Sequence, residues 1–216
     1  TCPLQYKYKY IDKLPEKKRP ELIFGKLIHQ ILFLVLNHNQ ALPQNTEALK
    51  EAEKLLRETW PKEDLDGNSK NFRLKAGLII EKFFKNFNPA DQEILSAEEK
   101  FEVPLEGHLL SGIIDRIDKL PNGILEVIDY KTGRFSSQEG VHQNQQLTFY
   151  YHAAKDRFPD FKEIRLSLHF LENDIKVSSQ RGKADVFALK STIDDVSGKI
   201  SQKQFFLPKN RKGQFY

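Results

Sequence analysis

The chain has 216 residues, a mass of 25.2 kDa, 39% hydrophobic and 30% charged residues, and a formal net charge of +4. That is enough apolar content for one domain, or for one domain with a helical insertion, and no run of about 18 apolar residues is present, which argues against a transmembrane span. The single cysteine, Cys2, excludes an internal disulfide and any metal site built from several cysteines, and it favours a reducing compartment. A pI near 8.9 suits an anionic partner without establishing one.

There is no signal-peptide pattern. The chain begins at Thr1 and contains no methionine, which leads us to expect a piece of a longer polypeptide. Residues 1–20 interleave tyrosine and lysine. A helix is expected from Glu21 to about Asn37, apolar nearly all round and therefore buried. After a polar linker, Thr46 is a plausible N-cap for an amphipathic helix over "TEALKEAEKLLRETW". "PKEDLDGNSK" reads as a loop and "FRLKAGLIIEKFFKNF" as a further helix closed by Asn88-Pro89. Strands are then expected over Ile94–Leu105, Leu109–Lys119 and Ile124–Thr132, the last two forming a hairpin around Pro121-Asn122-Gly123. His142–Phe158 has helical spacing, "EIRLSLHFLEND" and "IKVSSQ" read as two more strands, and Ala184 to about Lys203 as a last helix. The expected fold is a mixed sheet flanked by helices, α/β or α+β. No internal repeat, low-complexity tract or Walker A motif occurs.

The hairpin carries charges where a core is expected. A three-residue turn sets Asp115 opposite Asp129, with Cβ atoms roughly 4.5–5.5 Å apart. Strand alternation places Ile113, Asp115 and Ile117 on one inward face, together with Leu125, Val127, Asp129 and Lys131. Burying two facing carboxylates costs several kcal/mol unless they are compensated. A hard divalent cation such as Mg²⁺ or Mn²⁺ would compensate them, and Lys131 projects from the same face. The alternative is a structural ion pair of Asp115 with Lys131 or Arg116.

"GIIDRID", then "ILEVIDYKTG", then "QNQQLTFYYHAA" together resemble the RecB-like branch of the PD-(D/E)xK nuclease superfamily. The family's GxxD strand is matched by Gly112–Asp115, its (D/E)xK by Asp129-Tyr130-Lys131, and its QxxxY helix by Gln146–Tyr150. Its upstream histidine is matched by His29 in "FGKLIHQIL", and the opening "CPLQYKYKY" is similar to the start of the family's domain. The resemblance runs from Cys2 to Ala154 and implies a restriction-endonuclease-like fold: a single nuclease domain over 1–216, with a helical insertion at about 38–90 and a core of sheet and QxxxY helix at 94–180.

The resemblance also implies roles. Asp115 and Asp129 would ligate Mg or Mn, with the Tyr130 carbonyl and His29 completing the shell, and Lys131 would act on the attacking water and the phosphate. Gln146 and Tyr150, one helical turn apart, would hold Lys131 or the DNA backbone. Each has a plainer reading: His29 as a core histidine, Gln146 and Tyr150 as a polar helix face. Glu98 and Glu99 precede the GxxD strand, where one would contact the site or both would form a solvated strand edge. The basic clusters (Lys7, Lys9, Lys13, Lys17, Lys18 and Arg19 among Tyr6, Tyr8 and Tyr10; Lys209, Arg211 and Lys212) would track phosphate or form solvated faces. AddB-type and CRISPR-associated relatives hold an iron–sulfur cluster with one early and three late cysteines; only Cys2 is present, so no such cluster fits within this chain. The expected function is that of a metal-dependent DNA nuclease, an exonuclease or a nuclease domain of a repair, recombination or CRISPR system. It would be cytoplasmic or nucleoid-associated, with DNA and a fused or associated helicase as partners and no membrane. The competing readings are a non-catalytic DNA-binding or scaffold module on the same fold, and a domain that binds a small acidic ligand.

Overall fold

The computed structural model describes residues 2–16, 19–37, 45–61, 67–133, 135 and 137–206. Among them are seven α-helices and five strands in one mixed sheet of order β1-β2-β3-β4-β5. The helices are α1 (Pro3–Tyr6), α2 (Pro20–Asn37), α3 (Asn45–Thr59), α4 (Ser69–Asn86), α5 (Gln138–His142), α6 (Gln145–Arg157) and α7 (Lys183–Ser201). The strands are β1 (Glu93–Leu105), β2 (His108–Lys119), β3 (Leu125–Lys131), β4 (Ile164–Phe170) and β5 (Ile175–Ser179). Neighbouring strands are antiparallel except for β3 and β4, which run parallel. A parallel pair needs a long crossover, and here the crossover carries α5 and α6.

Two apolar clusters flank the sheet. One joins α2, α3 and α4 to Ile128, Tyr130 and Leu171. The other joins Ile114, Ile117, Leu125, Val127 and the β4 residues Leu166 and Leu168 to Leu147, Tyr150 and Ala153 of α6. By length and composition α2 could cross a membrane, with a mean hydropathy of 1.3 over 18 residues. In this fold seven of its side chains, from Phe24 to Leu36, are buried in the first cluster. It is not apolar-buried all round as expected, because Leu22 is exposed.

Several boundaries differ from expectation for local reasons. The helix α3 begins at Asn45, so Thr46 lies inside it rather than capping it. The helix α4 begins at Ser69, three residues ahead of Phe72. The helix expected over His142–Phe158 begins at Gln145, because Asn144 leaves helical backbone and its side chain accepts from Gln146 N to start α6, and His142 closes the separate short helix α5. Part of the loop expected after Trp60, as well as Lys17, Lys18, Lys209, Arg211 and Lys212, lies outside the described residues.

The hairpin turn forms as read. Leu120 N donates to Ile124 O at 2.9 Å, Gly123 N donates to Leu120 O at 2.9 Å, and Gly123 takes φ +79°, which suits glycine in a three-residue loop. Pairing then runs from Lys119–Leu125 to Arg116–Ile128 and stops one residue short of Asp115 and Asp129. The expected single inward face is overturned at the same place. Leu110 and Ile114 point into the α6-side cluster, and so does Ile117, although it is an odd step away from Ile114; Ile113 is exposed. Alternation therefore breaks across Asp115. The facing strand breaks with it, since the β1–β2 ladder skips the Glu98–Asp115 pair and Glu98 takes φ +49°.

Gly112 is where β2 tolerates no side chain. A Cβ there would lie 2.7 Å from Phe101 Cζ, and the Phe101 ring already meets Tyr150 edge-on at 6.2 Å between centroids. Gly112→Ala is expected to destabilise the fold by about 1–3 kcal/mol, the usual cost of overpacking. For a chain of this size each kcal/mol lowers Tm by about 2–4 °C in a thermal melt.

Candidate active site

Where β2 and β3 part, six side chains expected at the site converge. Asp115 Oδ2 accepts from the Tyr130 backbone N–H at 2.7 Å, taking the place of the missing strand partner. Its other oxygen lies 3.2 Å from His29 Nδ1. Asp129, 3% exposed, has Oδ1 accepting from the Tyr150 hydroxyl at 3.1 Å. Lys131 Nζ lies 2.6 Å from Asp129 Oδ2, but outside hydrogen-bond angles, so that buried oxygen has no hydrogen bond. Lys131 Nζ donates to Gln146 Oε1 at 2.9 Å, and Gln146 Nε2 donates to the Tyr150 oxygen at 2.7 Å. Asp129, Lys131, Gln146 and Tyr150 thus form a closed ring. Tyr150 also reaches Ile113 O at 3.0 Å, which ties α6 to β2.

The structural ion pair considered for Asp115 does not form. Lys131 faces Asp129, and Arg116 turns to the opposite side of the sheet, where its Nη2 lies 2.5 Å from Asp118 Oδ2 and its Nη1 donates to the Tyr130 hydroxyl at 3.1 Å. The Tyr130 side chain is therefore part of a buried network behind the site. Its ring lies edge-on to both His29 and Phe83 at 5.9 Å, and burial pushes its hydroxyl up to about 12. Glu99 turns to the Ser96 hydroxyl and towards Arg157, and Glu98 is exposed. In the N-terminal segment, Lys7 pairs with Asp12 and Lys9 with Glu16, leaving Tyr8 and Tyr10 exposed.

His29 reaches the site because α2 approaches β3 closely. A Cβ on Gly25, one turn before His29, would come within 3.2 Å of Thr132 Oγ1, so glycine lets the helix settle against the strand end. Burial disfavours the charged imidazole, but the hydrogen bond and charge of Asp115, with the charge of Asp129, outweigh it and hold His29 above the ordinary histidine value. Burial and the Asp115 charge push Asp129 above the ordinary carboxylate value, with Lys131 and Tyr150 opposing.

The donor set suits a hard cation: two carboxylates, an imidazole, and an Asp129 oxygen that is buried without a hydrogen bond. Among the described residues, no three His, Cys, Asp or Glu side chains already sit at cation-holding distances. Each carboxylate is instead compensated within the protein, Asp115 by His29 and the Tyr130 N–H, Asp129 by Lys131 and Tyr150. Sequence reasoning missed Ile113 O as a Tyr150 acceptor, the Arg116–Asp118–Tyr130 network, and Arg181, which binds the backbone around α6; the sequence carries no signal for the last.

Comparison with known proteins adds to this geometry. The sequence model of the PD-(D/E)XK nuclease superfamily matches residues 1–212. The chain is 32% identical over 196 residues to two proteins, each named as a subunit of an ATP-dependent helicase/deoxyribonuclease, from the strains MGCS10565 and H70 of Streptococcus equi subsp. zooepidemicus. Each match covers 80% of this chain and 18% of the relative, so the chain spans less than a fifth of those proteins' length.

The two aspartates differ in what they cost the fold. With a raised folded pKa, the stability linked to Asp129 is fully present below its unfolded pKa and is lost as pH rises through the folded value, so the ionised group disfavours folding at neutral pH. Asp129→Asn is expected to leave Tm at pH 7.5 in EDTA unchanged or higher. Asp115→Asn keeps a carbonyl acceptor for Tyr130 N but weakens the His29 contact, and it is expected to lower Tm. Melts of the two variants beside the wild type check this; equal changes would remove the distinction.

Proposed function

The chain belongs to the PD-(D/E)XK nuclease superfamily, and we propose that within it the chain is a divalent-metal-dependent deoxyribonuclease that hydrolyses phosphodiester bonds. The observation that carries this is the closed ring of Asp129, Lys131, Gln146 and Tyr150 beside the Asp115–His29 pair. A scaffold module has no need to hold a lysine, two carboxylates and an imidazole at one strand end.

In this reading Asp115, Asp129, His29 and the Tyr130 carbonyl hold Mg²⁺ or Mn²⁺. Such a cation supplies Lewis-acid charge at the phosphate and lowers the pKa of water. The protein's own groups do the rest. Gln146 fixes the Lys131 ammonium, which orients the attacking water and offsets the charge that builds on the phosphate oxygens. Tyr150 holds Asp129 Oδ1, while Asp129 Oδ2 lies 2.6 Å from the Lys131 ammonium. The water oxygen gives up a proton and bonds to phosphorus, one P–O ester bond breaks, and the departing alkoxide oxygen takes up a proton to leave as a hydroxyl.

The relatives' name, a subunit of an ATP-dependent helicase/deoxyribonuclease, supports DNA as substrate and a fused or associated helicase as partner; in this reading the chain serves DNA repair or recombination, in the cytoplasm or at the nucleoid. Exonuclease action fits a domain that follows a helicase along a strand.

Cleavage of labelled single- and double-stranded DNA with Mg²⁺, Mn²⁺ or EDTA tests the reading. Lys131→Ala is expected to slow turnover by about 10²–10⁴-fold, the range for a positioned proton-transfer group, while calorimetric metal affinity holds or rises. Asp129→Ala is expected to lose both metal binding and cleavage. Wild-type rates in Lys131→Ala would overturn its role, and binding of DNA without cleavage in either metal would return the chain to a scaffold.

A further inference from the structure

Arg181 lies in the link between β5 and α7, away from the reacting groups. Its Nη2 donates to the carbonyl oxygens of Val141 at 3.2 Å, His142 at 2.6 Å and Asn144 at 3.2 Å. Nη1 donates to Gln180 O at 2.8 Å and to the Ser179 hydroxyl, and Nε donates to Thr148 Oγ1 at 3.0 Å. One planar guanidinium thus binds the end of α5, the junction residue and the second turn of α6.

These contacts fall on either side of Gln146. Asn144, whose carbonyl Arg181 holds, caps α6 by accepting from Gln146 N at 2.9 Å. Thr148 follows Gln146 by two residues. The last carbonyls of a helix have no partner within it, and α5 is only five residues long; Asn144 N donates to Val141 O at 3.2 Å and the His142 ring lies 2.9 Å from Ser179 Oγ, and Arg181 adds the bonds that join this end of α5 to α6. The Gln146 carboxamide is the group that receives Lys131. A change of about 1 Å in such a support can cost about 10²-fold in rate.

We propose that Arg181 is a positioning residue: by clamping the α5–α6 junction it sets the first turns of α6 so that Gln146 holds Lys131. Lysine would not substitute, because an ammonium lacks the planar fork that reaches both helices. This rests on the reading of Lys131 and Gln146 as nuclease machinery.

The test compares Arg181→Gln, Gln146→Ala and the double variant of the full chain on labelled single-stranded DNA in Mn²⁺. Hydrogen exchange of the amides of residues 141–150 is followed in parallel. Arg181→Gln is expected to lower kcat by about 10–100-fold with KM little changed. The double variant is expected to be no slower than the slower single one, because both act through one contact. Amides of 141–150 are expected to exchange faster in Arg181→Gln while β3 and β4 keep their protection. Unchanged kcat, or losses that multiply in the double variant, would overturn the proposal. If Arg181→Gln does not fold, Thr148→Val removes one bond of the clamp and carries the same comparison with Gln146→Ala, with a smaller loss expected and the same two overturning results. If the wild type cleaves no DNA, the nuclease reading fails, and the exchange measurement alone decides whether Arg181 holds α6.

Discussion

The site depends on one hydrogen bond, from the Tyr130 backbone N–H to Asp115 Oδ2. The β2–β3 ladder ends at Arg116–Ile128, while β3 continues against β4 through Lys131. Tyr130 is buried, so once β2 turns away its N–H would be left without an acceptor, at a cost of about 1–3 kcal/mol. A carboxylate at the point of divergence removes that cost and wedges the strands apart. The candidate site lies in the opening so made: Asp129 and Lys131 lie on the stretch of β3 that β2 no longer pairs, and α2 and α6 send side chains in from opposite faces of the sheet.

The wedge also accounts for how so much charge is tolerated. Asp129 is buried and repelled by Asp115, but it faces an ammonium at 2.6 Å and accepts a tyrosine hydroxyl. Behind it, Arg116 is bonded to Asp118 and to Tyr130 on the other side of the sheet, and Phe87 lies under the guanidinium with its centroid 5.2 Å away. Tyr130 is shared by both groups, with its main chain serving the site and its hydroxyl serving the network behind. A buried ion pair contributes little net stability. What these pairs provide is a fixed place for a residue whose backbone must stay straight while β2 departs.

Much of this was legible in the sequence, and the limits have physical causes. Turn chemistry fixed the hairpin register: Gly123 can adopt a positive φ, and from it the pairing of Arg116–Lys119 with Leu125–Ile128 follows. The period-2 rule failed one residue later, because it assumes that both strands stay paired. Ile113 was therefore expected inside and is outside. The break in alternation is caused by Asp115 itself, a residue whose polar side chain was visible but whose main-chain partner was not. His29, Gln146 and Tyr150 could be matched to a family pattern, and the family itself matches over residues 1–212. Arg181 could not, because a guanidinium that binds backbone carbonyls has partners of no particular type and leaves no pattern in the chain.

The two helices that complete the site are held by different means. The helix α2 is fixed by bulk: seven buried side chains in the helical cluster and a glycine that admits close contact with Thr132. Apolar packing of this kind is non-directional but stiff, and it suits His29, which needs only to reach one carboxylate oxygen. The helix α6 must present two groups, Gln146 and Tyr150, to two different partners at once, and packing alone tolerates small rotations about a helix axis. Directional bonds remove that freedom. Tyr150 is fixed from β2 by Ile113 O, the helix start is fixed by the Asn144 side chain, and the junction ahead of it by a fork of donors. The part of the site that handles the lysine is thus the part in which orientation, rather than proximity, is most heavily specified.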